Sequence, residues 1–379
     1  DPRSTRVMHL TPPGRGAIST LLVEGPDATG RVEQHFSPTG GGRLGTYPLR
    51  RIVFGHFRVG SHPREEVVAC RRSAESIELH CHGGHVAATR ILEAFVEQGC
   101  RAAGWHEWAA DHYPDRIAAE AFTHLADART ERTAAVLLDQ HHGALRRALE
   151  SIDRQLRAGR TESALAELRA LLAHADIGRH LTSPWRVLLA GSPNVGKSSL
   201  INALVGHERA IVHPIAGTTR DVVSVATAID GWPVEFADTA GLCEGDDRLE
   251  QAAVELARRE SGAADLVLLV FDAGRRWSQI DEVLTAEHPG ALVVHNKCDL
   301  VASSGDRRPD GLFTSALARQ GIETLLGVIV ERLVPEPPPP GAAVPFTIEQ
   351  IECIEAAASA LEHQDDPPAA IVALADLLR

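Results

Sequence analysis

Lysine is almost missing from this chain. Of 38 basic residues only two are lysine, Lys197 and Lys297, and every other is arginine. Broad positive charge is missing too, since the formal net charge is -13. That argues against a protein that covers nucleic acid with a wide basic face, because such binders need Lys and Arg to displace counterions. A local basic patch stays compatible with it. No run of about 18 apolar residues occurs, so there is no candidate membrane-spanning helix and no membrane partner is expected. The opening residues, DPRSTRVMHLTPPGRG, lack a basic start followed by an apolar stretch, so no secretory signal is expected. A first residue other than Met suggests that a few residues precede Asp1. The cysteines Cys70, Cys81, Cys100, Cys243, Cys298 and Cys353 show no paired spacing. Free thiols in a reducing cytoplasm are the expectation.

What is present suffices for two or three domains: 379 residues, 44% of them hydrophobic. Residues 1–105 are expected to form an α+β domain. AISTLLVEG and RIVFGHFRV read as strands, with GPDATG and SPTGGGRLGTYP as breaks. SIELHCHGG alternates up to Gly83 and Gly84, and HVAATRILEAFVEQG reads as a helix closed by Gly99. Residues 106–183 are rich in Ala, Leu, Arg and Glu with apolar spacings of three and four, the first part of a helical domain. In 184–334 strands and helices alternate, which implies a parallel sheet with crossover helices. Residues 335–345 contain EPPPPGAAVP, a stiff polyproline-type linker. Residues 346–379 read as a last amphipathic helix or pair.

WRVLLAGSPNVGKSSLINALVG is an apolar strand, a Gly-bounded loop and a helix, matching G-x-x-x-x-G-K-[ST] from Gly191 to Ser198. Gly191 and Gly196 let the backbone bend so that loop N–H groups, through Asn194, Val195, Gly196, Ser198 and Ser199, face phosphate oxygens. The helix beginning near Lys197 adds its positive end. Ser198 is expected to hold Mg²⁺ through its hydroxyl. A loop wrapped round a phosphate leaves little room at its centre. Lys197, a compact charge on a thin stem, fits there, and a planar guanidinium does not.

The second lysine belongs to the base site. ALVVHNKCDL reads as a strand ending in Asn296, Lys297, Cys298 and Asp299. Asp299 can accept from guanine N1–H and N2–H₂ together, a donor pair that adenine lacks. Lys297 is expected along the base, Asn296 to tie the loops together, and Ser315 and Ala316 to back the base with main-chain N–H. EFADTAGL supplies Asp238, Thr239, Ala240 and Gly241, with Asp238 reaching Mg²⁺ through water and Gly241 offering its N–H to the γ-phosphate. IAGTTRD supplies Thr218 and Thr219, the latter's hydroxyl on Mg²⁺ when a triphosphate is present. Loss of the γ-phosphate frees both loops, which is the logic of a GTP switch. The expected fold class is an α/β P-loop GTPase domain, with a parallel-sheet core, inserted in a helical domain behind an N-terminal α+β domain.

With four nucleotide motifs in order, the chain resembles the Era-like GTPases. PNVGKSSLINAL, IAGTTRD, TPPGRGAIS and IELHCHGGHVAATRIL make it similar, more narrowly, to the MnmE (TrmE) family of tRNA-modification GTPases. The resemblance implies a bound K⁺ in place of an arginine finger, held by Asn194 and wrapped by a loop that brings His213, Ile215 and Thr218 near. It implies that Glu250, twelve residues after Asp238, orients the attacking water. Lys197, Thr219 and Glu250 are thus the candidate catalytic residues. It further implies a homodimer through the G domains, and action on the wobble uridine of tRNA with a flavoprotein partner of the MnmG type.

The family also binds 5-formyl-tetrahydrofolate and ends in a C-x-G-K tail. Here Leu22 stands where the strand after PPGRG carries Arg in the family, AAGWHEWAADHYPDR contains no Lys, and only Glu78 of that pocket is kept. The sequence given ends in VALADLLR. GTP chemistry is expected to survive these departures and folate binding is not. They favour an alternative, an Era-like GTP-dependent assembly switch without tRNA-modifying activity, while the architecture favours the first reading.

Three further features invite comment. HCHGGH at 80–85 reads as a turn, with a metal site as the alternative, for which zinc would want a fourth ligand. WHEWAADHY is expected to form a small aromatic core under the helices, with a partner surface as the alternative. Cys353 is expected to belong to the core of an amphipathic helix.

Overall fold

The computed structural model describes residues 4–11, 16–60, 63–113, 115–207, 223–238, 262–301, 308–364 and 366–378. The chain divides into two compact units, residues 1–114 and 115–379.

The first unit is a mixed sheet. Its order is Phe36–Pro38, Ile52–Phe57, Glu65–Arg71, Ser76–His82, Ile18–Glu24, Arg6–His9, Arg101–Ala102. All pairs are antiparallel except the last, where Arg6–His9 runs parallel to Arg101–Ala102. Alternation builds it: in SIELHCH the odd members Ile77, Leu79 and Cys81 are buried and the others are not. The helix His85–Glu97 buries Ala88, Ile91, Ala94 and Phe95, one face at spacings of three and four, and ends before Gly99, which takes φ +86°.

The WHEWAADHY segment forms the helix Trp105–His112, and it belongs to this first unit. It is not an aromatic core: only Ala109 is buried, while Trp105 and Trp108 stay half-exposed. The helix is short and meets charge. Arg6 pairs with Glu24 at 2.9 Å and with Asp111, and Trp108 stacks on His112 with ring centres 4.1 Å apart.

The second unit holds the helices Arg116–Leu125, Glu131–His141, Ala144–Arg157, Thr161–Leu172 and Ala175–Arg179, then a six-stranded sheet, then Ile348–Gln364 and Pro367–Ala375. Ala144–Arg157 shows why these are helices: Leu145, Leu149, Ile152 and Leu156 repeat at three and four and all lie inside. The last two helices return to the first ones. Arg169 Nη2 meets Glu362 Oε1 at 2.7 Å, Gln350 Nε2 donates to Glu120 Oε2 at 2.7 Å, and Arg116 pairs with Glu349. One hydrophobic core runs continuously from these helices into the sheet.

The Pro-rich linker is docked rather than free. Gln140, with no exposed surface, donates to Ala342 O at 3.0 Å and accepts from Val344 N at 3.1 Å. Asp139 accepts from Gly341 N at 2.7 Å, and Val344 and Phe346 are buried.

The sheet of the second unit has the order Leu312–Phe313, Leu292–Asn296, Leu266–Asp272, Trp185–Ala190, Trp232–Asp238, Val223–Ile229. Its pairs are parallel except the last, an antiparallel hairpin. An all-parallel sheet is ruled out at that edge because only Asp230 and Gly231 join the two strands, too few for a crossover. Their φ values of +49° and +77° make the tight turn that suits a hairpin. The parallel strands end together at Ala190, Asp238, Asp272 and Asn296, with Asp238 in register with Leu189 and Asp272 with Asn296. Ligands of such sheets bind at these carboxyl ends. Among the described residues no helix is long and apolar enough to cross a membrane.

Candidate functional site

The buried strand Trp185–Ala190 leads into a loop that only glycine can start. A Cβ on Gly191 would lie 2.2 Å from Val270 O, and the residue sits at φ +149°. Gly196, at φ +96°, precedes the helix Lys197–Val205, and a Cβ there would lie 2.5 Å from Asn296 Nδ2. Between them Asn194 takes a left-handed φ of +63°.

Three side chains hold the carbonyls of this loop. Lys197 Nζ donates to Gly191 O at 2.9 Å and to Ser192 O at 3.2 Å. Lys297 Nζ donates to Asn194 O at 2.6 Å, and Asn296 Nδ2 donates to Val195 O at 3.0 Å. The two lysines of the chain therefore converge on one short loop, although 100 residues separate them. With its carbonyls engaged, the loop has its N–H groups to offer an anion, beside the positive end of a helix. Lys197 is only 5% exposed, while Asn194, Ser198 and Ser199 are exposed.

Ser198 Oγ donates to Asp238 Oδ2 at 2.6 Å, and Asp238 is buried at the end of its strand. Two hard oxygen donors side by side fit the chemistry of Mg²⁺. On the other side Asn296 is a hub. Its Oδ1 accepts from Ala316 N at 3.2 Å and from Thr314 Oγ1 at 3.4 Å while its Nδ2 holds the loop. Ser315 is fully buried, paired with Gln320, and its Oγ accepts from Ala318 N at 3.0 Å. Lys297, at φ +62°, turns the chain into the short helix Cys298–Leu300, where Asp299 is exposed. Asn296 and Lys297 are thus hydrogen-bonded to Asn194, Val195 and Ala316, and the same loop runs through Gly196 and Lys197 to Ser198, which bonds Asp238.

Two members of this neighbourhood carry no motif. Asp272 Oδ2 meets Lys297 Nζ at 2.8 Å and its Oδ1 accepts from Gly274 N at 2.8 Å. Burial works to raise the Asp272 carboxyl, but the Lys297 ammonium and the Gly274 amide outweigh it and hold it below the usual carboxylate range. His295 lies buried beside Asn296, with Nε2 3.0 Å from Pro309 O, and burial pushes its imidazole below the ordinary histidine value. An acid ending an apolar strand, as in LVLLVFD, is the one signal by which sequence could have marked Asp272.

Thr218, Thr219, Thr239, Ala240, Gly241, His213, Ile215 and Glu250 lie outside the described residues. The histidines of HCHGGH have separate partners: His80 Nδ1 is 3.0 Å from Thr20 Oγ1, His82 Nδ1 2.7 Å from Glu65 Oε1, and His85 Nδ1 3.1 Å from Thr89 Oγ1. Cys353 is partly buried against the core of the second unit.

Comparison with known proteins agrees with this geometry. Residues 186–297 match the model of the 50S ribosome-binding GTPase family, and residues 6–111 match that of the GTP-binding protein TrmE N-terminus. The tRNA modification GTPase MnmE of Chloroflexus aurantiacus is 37% identical over 329 residues, 76% of this chain and 71% of that protein. The tRNA modification GTPase MnmE of Desulfitobacterium hafniense is 31% identical over 355 residues, 84% of this chain and 77% of that protein. Among solved structures, Era in complex with MgGDPNP and a segment of 16S ribosomal RNA is 30% identical over 41% of this chain and 58% of that one, with a TM-score of 0.31, too low to bear on the arrangement. A nucleotide loop gripped by both lysines, and relatives matched over both units, lead to one conclusion: this chain belongs to the MnmE family of tRNA-modification GTPases.

Proposed function

We propose that this GTPase spends GTP on modification of the wobble uridine of tRNA, and that the loop from Gly191 to Gly196 is its phosphate cradle. The observation that carries the reading is the convergence of Lys197, Lys297 and Asn296 on the carbonyls of that loop. In this reading the Lys197 ammonium exchanges Gly191 O and Ser192 O for the oxygens of the terminal phosphates. Asp299 accepts from the guanine edge, Lys297 lies along the base, and Ser315 and Ala316 back it. Ser198, Asp238 and Thr219 would hold Mg²⁺, whose charge would offset that of the phosphates. The hydroxyl–carboxylate pair of Ser198 and Asp238 supports this assignment.

Asn194 is the proposed K⁺ ligand, with His213, Ile215 and Thr218 around the ion, whose charge would lie against the phosphates where transfer builds it up. Its exposed side chain brings a carbonyl oxygen, the donor such an ion takes. Glu250 orients the water, and Thr239, Ala240 and Gly241 respond to the γ-phosphate. A homodimer through the G domains and a flavoprotein partner of the MnmG type complete the proposal. The free cysteines among the described residues suit work in the cytoplasm. The MnmE relatives, matched over most of the chain, favour this reading over an Era-like switch.

Folate is left out. Leu22, where the resemblance asks for Arg, is 4% exposed and in register with Glu78, and the Glu78 carboxylate is held by Arg72 at 2.8 Å. A buried leucine has no donor for the ligand's carboxylates or pterin.

The test is complementation of a bacterium that lacks wobble-uridine modification, read as modified nucleoside in its tRNA. Restored nucleoside is expected. Its absence, with the protein present and hydrolysing GTP, would leave only the switch. GTP turnover in K⁺ against Na⁺ tests the ion separately: faster turnover in K⁺ is expected, and equal rates would remove the role given to Asn194.

A further inference from the structure

Asp272 ends the strand LVLLVFD, of which Leu268, Leu269, Val270 and Phe271 are buried. Its side chain is only 10% exposed. A carboxylate taken out of water at such a place costs free energy unless it is paired and hydrogen-bonded. Here both oxygens are used, Oδ2 by the Lys297 ammonium at 2.8 Å and Oδ1 by the Gly274 amide at 2.8 Å. The main chain is fixed as well: Ala273 N donates to Asn296 O at 2.7 Å, and Arg308 Nη1 donates to Asp272 O at 3.3 Å.

The partner side chain is equally constrained. Of the three donors on the Lys297 ammonium, one goes to Asp272 and one to Asn194 O at 2.6 Å. Its backbone is held at φ +62°, and the Cβ that a residue at 196 would carry lies 3.7 Å from Lys297 Cε. A free lysine stem samples many rotamers. This one is tied at both ends, and its stem crosses from the base motif to the phosphate loop.

We propose that Asp272 is a positioning residue of the guanine site: by anchoring the Lys297 ammonium against Asn194 O, it holds the lysine stem as a preformed wall for the base. The inference rests on reading Asn296–Asp299 as the base motif. A wall ordered before the ligand arrives removes an ordering cost from binding, and such gains appear mainly as slower release. Without Asp272 the ammonium keeps one carbonyl partner and the stem is freed.

The experiment measures release of a fluorescent GDP from the full chain in Mg²⁺, for the native protein, Asp272→Ala, Asp272→Asn, Lys297→Ala and the double variant Asp272→Ala with Lys297→Ala. Asp272→Ala is expected to speed release by about tenfold or more, the size of a charged hydrogen bond. Asp272→Asn keeps the shape and an acceptor but not the charge, and is expected to fall between Ala and the native protein. The double variant is expected to release GDP no faster than Lys297→Ala alone. Native release rates in both Asp272 variants would overturn the proposal, and so would effects of Asp272→Ala and Lys297→Ala that multiply in the double variant. Asp299→Asn is measured beside them, because an amide there can donate to the C2 oxygen of xanthine. If that variant kept guanine over xanthine nucleotides unchanged, the base-site reading itself would fail. The coupling between Asp272 and Lys297 can fail on its own.

Discussion

Ser198 Oγ donates to Asp238 Oδ2 at 2.6 Å, joining the first turn of one helix to the end of a neighbouring strand. Asp238 is 4% exposed, so its charge has few solvent molecules to screen it. If this pair receives Mg²⁺, Ser198→Ala and Asp238→Asn should each cut Mg²⁺-dependent GTP turnover by roughly 10²-fold, the usual scale for one preorganised electrostatic contact. The Mg²⁺ concentration for half-maximal turnover should rise in both. A full rate at native Mg²⁺ levels in either variant would remove the pair from the site.

Arg132, near the start of the helix Glu131–His141, reaches the hairpin that ends in Asp238. Its Nη1 donates to Asp230 O at 2.7 Å and Oδ2 at 2.8 Å, and the guanidinium lies 4.9 Å from the centre of the Trp232 ring. Both charged side chains are more than a third exposed, so the ion pair itself is weak, about 1 kcal/mol or less. Stacking adds a similar amount. Arg132→Ala is expected to cost about 1–2 kcal/mol in chemical denaturation. Asp230→Asn, which tolerates the left-handed turn at φ +49°, should cost less, because it leaves the stacking and the bond to the Asp230 carbonyl in place. Equal losses would mean that the salt bridge, not the stacking, dominates.

Gln140 fastens the Pro-rich segment from inside. Gln140→Ala leaves the buried Val344 N and the half-buried Ala342 O without their partner, at a cost of about 2 kcal/mol. Proteases should then cut within 335–345 faster than in the native protein. An unchanged cleavage pattern would show that Val344, Phe346 and the bond from Gly341 N to Asp139 hold the segment without Gln140.

His295 sets a pH response. Burial lowers its folded pKa below the unfolded value, so in acid the unfolded chain takes up a proton that the folded chain refuses. Stability should therefore rise with pH up to about 6.5, the ordinary histidine value, and fall as pH drops below it. His9 shifts the same way through burial and adds to the slope. His295→Gln cannot titrate, and denaturation between pH 5 and 7 should show a shallower dependence in this variant. An unaltered slope would acquit His295.

The nucleotide loop was legible because glycine spacing is dictated by close approach: Gly191 against Val270 and Gly196 against Asn296 leave room for nothing else. The tie made by Asn296 was legible for a related reason, since that side chain must reach two loops at once. Asp272 was not, because a carboxylate after an apolar run looks the same whether it faces water or an ammonium. The proline-rich stretch announced its stiffness but not the glutamine it docks on, since Gln140 sits in a helix like any polar residue. WHEWAADHY misled for a physical reason: Trp and His can stack on one another along a short helix without a core beneath them. The alternation of strands and helices likewise hid the hairpin, where a two-residue turn allows only antiparallel pairing.

The central claim is that a loop gripped by two lysines holds a phosphate chain whose base is guanine. Calorimetric titration of the full chain with GDP and with ADP, both with Mg²⁺, tests it most directly. The account predicts binding of GDP and rejection of ADP by roughly 10⁴-fold, the margin expected where an acceptor that the bound base would cover is left unpaired. No heat with GDP, or equal affinity for the two, would contradict it.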